Sequence, residues 1–154
     1  MSEGARRGAG GAGSAGGGDG RRDGGATGET DLTRLIAGMR PHLQEGLYGF
    51  ASVQTAPEGL KTVCLFAEEE GLSLIAAWDD LIAAGLSPDY PCRWITLEIA
   101  SALEAVGFLA AVTGRLAAEG ISVNPVSARF HDHLFVPEDR AGETMAILRA
   151  MAEG

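Results

Sequence analysis

Leu32, Leu35, Ile36 and Met39 fall at i, i+3, i+4 and i+7, the stripe of one helical face. They predict a helix capped at Thr30 or Asp31 and running to about Arg40. Pro41 ends it, because the residue before a proline is pushed out of helical backbone. Residues 47–53, 62–66 and 72–76 read as strands, with a loop at Ala56-Pro57-Glu58-Gly59 and a tight acidic connection at Glu68-Glu69-Glu70-Gly71. A short helix over 78–84 follows, with Gly85 to close it, and Ser87-Pro88-Asp89-Tyr90-Pro91 reads as a boundary between halves. In 93–99 the period is two: Ile95, Leu97 and Ile99 point one way, Trp94, Thr96 and Glu98 the other. Residues 103–119 read as a helix with Ala105, Leu109, Val112 and Leu116 inward and Gly120 beyond its end. A strand over 121–128 contains Pro125, which cannot donate to a ladder and so places that strand at a sheet edge. A strand over 133–136 comes next, then a helix capped by Asp139 with Ala141, Met145, Leu148 and Ala152 on one face.

The order of elements predicts an α+β fold of two ferredoxin-like βαββαβ halves, each incomplete alone. The first half opens on a helix and lacks a leading strand; the second ends on a helix and lacks a closing strand. The halves complete each other, or a second copy supplies the edge. The expected organisation is a Gly/Ala-rich tail over 1–30, one half over 31–91 and another over 92–154.

Composition changes this picture mainly at the N-terminus. Residues 1–30 hold 12 of the 23 glycines and no Leu, Ile, Val or aromatic residue. Such a stretch buries too little apolar surface to offset its ordering entropy and is expected to be disordered. Its four arginines are cancelled by four carboxylates, so the formal charge of −9 belongs to the remainder. A surface that acidic repels phosphate backbones and anionic lipid, which argues against nucleic-acid and membrane partners. Two cysteines, Cys64 and Cys92, without CxxC spacing read as reduced, buried thiols. With no signal-like h-region and no long apolar run, the expected location is cytoplasmic.

Three short runs carry a family resemblance. Leu103-Glu104-Ala105-Val106-Gly107, then Leu116 to Asn124, then His131-Asp132-His133-Leu134-Phe135-Val136-Pro137 resemble the small tandem ACT-like proteins. Leu32, Leu35, Pro41, Phe50 and Glu69-Glu70-Gly71-Leu72-Ser73-Leu74 fit the same pattern in the first half, so the resemblance spans about 31–152. It implies a regulatory module that binds an amino acid or another small metabolite between the exit loop of a first strand and a neighbouring domain or subunit. The sheet edges and missing terminal strands make a homodimer the expected state. Carried onto this chain, the loop is 101–107. Ser101 and Gly107 belong to it, and the backbone N–H groups opening the helix at Leu103, Glu104, Ala105 and Val106 would hold a carboxylate. Asn124 would bond an α-amino group or an amide, and the Glu104 carboxylate would pair with an ammonium. The chain departs from the pattern at Ala100-Ser101-Ala102, where the family is more polar, and at Pro125.

Other chemistry stays open on the residues alone. His131 and His133 would share a strand face, with Asp132 on the other, and could contact a ligand or a second subunit. Two imidazoles can begin a metal site, yet zinc wants a third or fourth ligand, and Cys64, Cys92 and His42 lack the spacing. The plainer reading has the triplet shape a hairpin, with Asp132 bonding turn amides. Glu68-Glu69-Glu70 reads as a solvated turn, and Trp78 and Trp94 as interface or core aromatics. No G-x-S-x-G elbow surrounds Ser101 and no P-loop occurs. No catalytic residue, metal or cofactor is assigned. The expected function is non-catalytic small-molecule binding, the alternatives being a ligand-free interaction module and a metal-binding protein centred on His131 and His133.

Overall fold

The computed structural model describes residues 29–154. The tail, apart from its last two residues, lies outside them. Asp31 caps α1 (Leu32–Gly38), its carboxylate accepting from the Arg34 N–H at 2.9 Å. Leu35 and Met39 are buried, whereas Leu32 stays 38% exposed. Pro41 ends the helix and also opens a short strand, β1 (Pro41–Leu43), too short to show a period in the sequence. β2 (Tyr48–Val53), β3 (Thr62–Glu68), β4 (Gly71–Ala77) and α2 (Trp78–Ala83) follow where the periodicity puts them. Then come β5 (Asp89–Leu97), α3 (Phe108–Ala118), β6 (Asn124–Ser127), β7 (Asp132–Pro137), a 3₁₀ turn (Glu138–Arg140) and α4 (Ala141–Glu153).

The strands form one sheet in the order β3-β4-β2-β5-β7-β6, with β1 also paired to β5. β6, which carries Pro125, lies at the edge as predicted. β5 is the spine. Its first residues pair with β2 (Tyr48 opposite Cys92), its last with β1 (Pro41 opposite Leu97), and its other side with β7. It therefore closes the first half and opens the second, beginning inside the 87–91 segment. The leading helix and β1 complete the second half: Leu35 of α1 and Met39 just after it join Phe108, Val112, Leu116, Met145 and Leu148 of α3 and α4 on Ile95, Leu97, Leu134 and Val136. On the first half, Leu81 of α2 packs on Ala51, Leu74 and Ala76.

The opposite face of the strands carries a third cluster, Ile75, Cys92 and Phe135, with Tyr48, Phe50, Trp94, Cys64 and Val126 against it. Cys64 and Val126 also line one cavity, although they come from the two edge strands β3 and β6. Five strand spacings would hold them about 24 Å apart in a flat sheet. The sheet is therefore folded about the β2–β5 junction, where the register shifts, and its two halves face each other across the aromatic cluster with helices outside.

Two predicted helix starts move. α3 begins at Phe108, not at 103, because Gly107 has φ +91°, a left-handed conformation no helix can run through. Residues 102–105 make only a turn (Ala105 N–H to Ala102 O, 2.9 Å), and the first α-helical bond is Ala111 N–H to Gly107 O at 2.8 Å. Asp139 does not cap α4; it sits in the 3₁₀ turn, and the residue before α4 is Arg140.

Candidate functional site

The loop from Glu98 to Gly107 leaves the end of β5 and turns into α3. Glu29, an isolated β-bridge partner of Ser101, braces it: Glu29 N–H donates to Ala100 O at 2.8 Å, and Ala102 N–H donates to Glu29 O at 3.0 Å. Nothing in the local sequence signals this contact. The Glu29 carboxylate lies below the usual range, because it accepts from the Asp31 and Thr30 N–H groups and lies near Arg34.

Ser101, on this loop, donates its hydroxyl to the Asp132 carboxylate at 3.2 Å. Asp132 is only 4% exposed, on the helix side of β7 with Leu134 and Val136. It does not bond the turn amides expected of it; Ala128 N–H to His131 O closes that hairpin. Ser101, Asp132, Ser127, Gly107 and the first turn of α3 enclose a small cavity of about 110 Å³. The N–H groups of Phe108, Leu109 and Ala110 open α3 and precede its first i to i−4 bond, so they are the donors a helix end leaves free. The cavity thus sets a positive helix end against a buried carboxylate.

The structure divides the sequence-predicted residues. Ser101, Leu103, Gly107 and Asp132 line this cavity. The amides of Leu103, Glu104, Ala105 and Val106 do not open the helix, since Gly107 displaces that role to Phe108. Glu104 is exposed and off the lining. Asn124 pairs with Phe135, whereas Ser127 pairs with Asp132. Three strand residues, about 10 Å, separate Asn124 from the cavity end. His131 precedes β7 and lies with Nδ1 3.4 Å from Ile99 O. His133 faces the opposite side of the sheet, where its Nδ1 takes the Trp94 indole N–H at 3.0 Å and lies 3.2 Å from Thr96 Oγ1. Burial holds the His133 imidazole below its ordinary pKa, and the nearby His131 adds to this. Among the described residues no group of three or more His, Cys, Asp or Glu converges as a metal site.

Leu103 and Val106, 61% and 84% exposed, rise from the loop beside the cavity. A Cβ on Gly107 would lie 3.6 Å from Leu32, so Leu32 borders the same patch. Apolar surface gathered around a small polar pocket is the usual mark of a contact surface. Among the described residues no helix is long and apolar enough to cross a membrane.

Comparison with known proteins adds the family context. Residues 27–93 match one ACT-domain family model and residues 89–150 a second. The two matches overlap on β5, the strand both halves share. A Vibrio cholerae protein of unknown function is 35% identical, with a TM-score of 0.72 over 79% of this chain and 95% of its own. An Agrobacterium tumefaciens protein is 22% identical, with a TM-score of 0.62 over 74% of this chain and 89% of its own. The regulatory subunit of aspartate kinase from Thermus thermophilus shares the fold at 8% identity, with a TM-score of 0.58 over 72% of this chain and 95% of its own. No curated protein matches the chain in sequence.

Proposed function

The chain belongs to the ACT-domain family, with two such domains in tandem, and on that premise we propose that it is a non-catalytic regulatory module of the cytoplasm that binds an amino acid at the interface of a homodimer. The observation that carries this reading is the cavity in which the amides of Phe108, Leu109 and Ala110 stand against the buried Asp132 carboxylate. An α-carboxylate suits the helix end, and an α-ammonium suits Asp132, whose oxygen already accepts from Ser101. Asp132 replaces the exposed Glu104 as the ammonium partner.

The volume supports a site completed by a second copy. About 110 Å³ is well below the roughly 300–1,000 Å³ of sites that enclose a whole small molecule. The backbone part of an amino acid fits; its side chain would project past Leu103 and Val106 to the other subunit. Binding that bridges two chains biases their placement, which is how such a module passes a signal to a partner.

A thermal-shift series with the twenty amino acids tests it. A ligand present at 100 times its dissociation constant adds about 2.7 kcal/mol of stability. One amino acid or a related pair should raise Tm, and Asp132→Asn should abolish the rise. No shift from any of them would leave a ligand-free interaction module as the better account.

A further inference from the structure

The larger cavity of about 580 Å³ lies on the other side of the sheet, between the two facing half-sheets. Val63 and Cys64 of β3 form one wall, and Trp94, Val126, His133 and Phe135 form the other. We propose that this cleft is a second binding site, distinct from the loop cavity, for a neutral aromatic molecule of one or two rings bearing one hydrogen-bond acceptor.

The lining selects that class. The volume lies within the range of small-molecule sites, and a cleft between two halves is a common place for one. Trp94, half-buried on this face, offers its indole as an aromatic wall, and the buried Phe135 ring stacks beside it with 6.1 Å between centroids and 23° between planes. No Lys, Arg, Asp or Glu lines the cleft, so neither a carboxylate nor an ammonium finds a counter-charge there. That excludes the zwitterion proposed for the loop cavity.

One polar group is fixed in direction. An indole N–H only donates, so Trp94 Nε1–H at 3.0 Å requires a bare Nδ1 on His133. The imidazole is then neutral with its proton on Nε2, which makes no hydrogen bond among the described residues. His133 lines the cleft, so this N–H is the donor available there to a ligand carbonyl, ether or phenolic oxygen.

The test is an NMR titration of the ¹⁵N-labelled full chain with acetophenone, using benzoate as its charged counterpart. The protein has two tryptophans, so it gives two indole N–H signals, which Trp78→Phe assigns. Acetophenone should shift the Trp94 indole saturably and leave that of Trp78 in place, while benzoate binds at least tenfold more weakly. His133→Leu should weaken acetophenone about fivefold, the loss of one hydrogen bond. Val126→Trp, filling the cleft from the edge strand, should abolish the shift; Ala128→Leu serves if that variant does not fold. The proposal is overturned by an unmoved Trp94 indole, by benzoate binding as tightly as acetophenone, or by undiminished binding in a folded cleft-filling variant. None of these results bears on amino-acid binding at Asp132, so the two sites stand or fall separately.

Discussion

Two glycines seven residues apart should respond to the same substitution with opposite signs. Gly107 holds φ +91° at the entry to α3, while Gly114 sits in the exposed interior of that helix. A Cβ on Gly107 would meet only Leu32 at 3.6 Å, ordinary van der Waals contact, so Gly107→Ala tests backbone strain without a clash. An L-residue in that conformation costs about 1–2 kcal/mol. A Cβ on Gly114 meets nothing within 4 Å, and replacing a mid-helix glycine by alanine gains about 0.5–1 kcal/mol. At about 3–4 °C per kcal/mol for a chain of this size, Gly107→Ala should lower Tm by about 3–8 °C and Gly114→Ala should raise it by about 2–4 °C. Gly107→Asn should recover part of the loss, since asparagine tolerates left-handed backbone. Urea unfolding should give the same order with an unchanged slope, as expected when stability changes but the surface exposed on unfolding does not. A neutral Gly107→Ala, or an asparagine no better than alanine, would refute the argument that this φ sets where α3 begins.

Burial pushes the Cys92 thiol up to about 12, and its Sγ donates to Tyr48 O at 3.4 Å, so a thiol reagent at mildly alkaline pH should label Cys64 and reach Cys92 only on unfolding. His133 has its folded pKa below the ordinary 6.5, so the unfolded chain binds the proton first. Its contribution is intact above 6.5 and is lost as pH falls from there through the folded value. Urea midpoints should drop less over that window in His133→Gln than in the parent chain. Ser101→Ala removes the hydroxyl partner of the buried Asp132 carboxylate and should cost about 1–3 kcal/mol in urea unfolding. An unchanged midpoint would mean that water replaces the hydroxyl.

Much of the fold is legible in the sequence because periodicity is a local signal. Alternation in Ile95, Leu97 and their neighbours places β5, the spacing of Val112 and Leu116 places the body of α3, and Pro125 places β6 at an edge. The loop after β5 is readable too, with Ser101 and Gly107 in it. Its details are not. The start of α3 follows from one backbone angle at Gly107, and the same letters Leu-Glu-Ala-Val are compatible with a first helical turn. Asp132 reads as a turn residue because aspartate side chains bond turn amides, yet it is buried once α3 and the loop cover that face.

What the chain's own pattern determined, then, is the identity of nearly every element, since each is decided by neighbours within a few residues. The tertiary structure decided which elements complete which. β1 is only three residues and gains strand geometry from pairing with β5, whose partner Leu97 is far along the chain. α1 comes before the strands of the first half, but its Leu35 and the following Met39 are buried in the second. Ser101 and Asp132 meet across 31 residues, and Val63 and Val126 share a cleft only because the sheet folds about the β2–β5 junction. Such contacts depend on loop closure and sheet curvature, and these arise from the sum of many side-chain contacts rather than from any short run of residues.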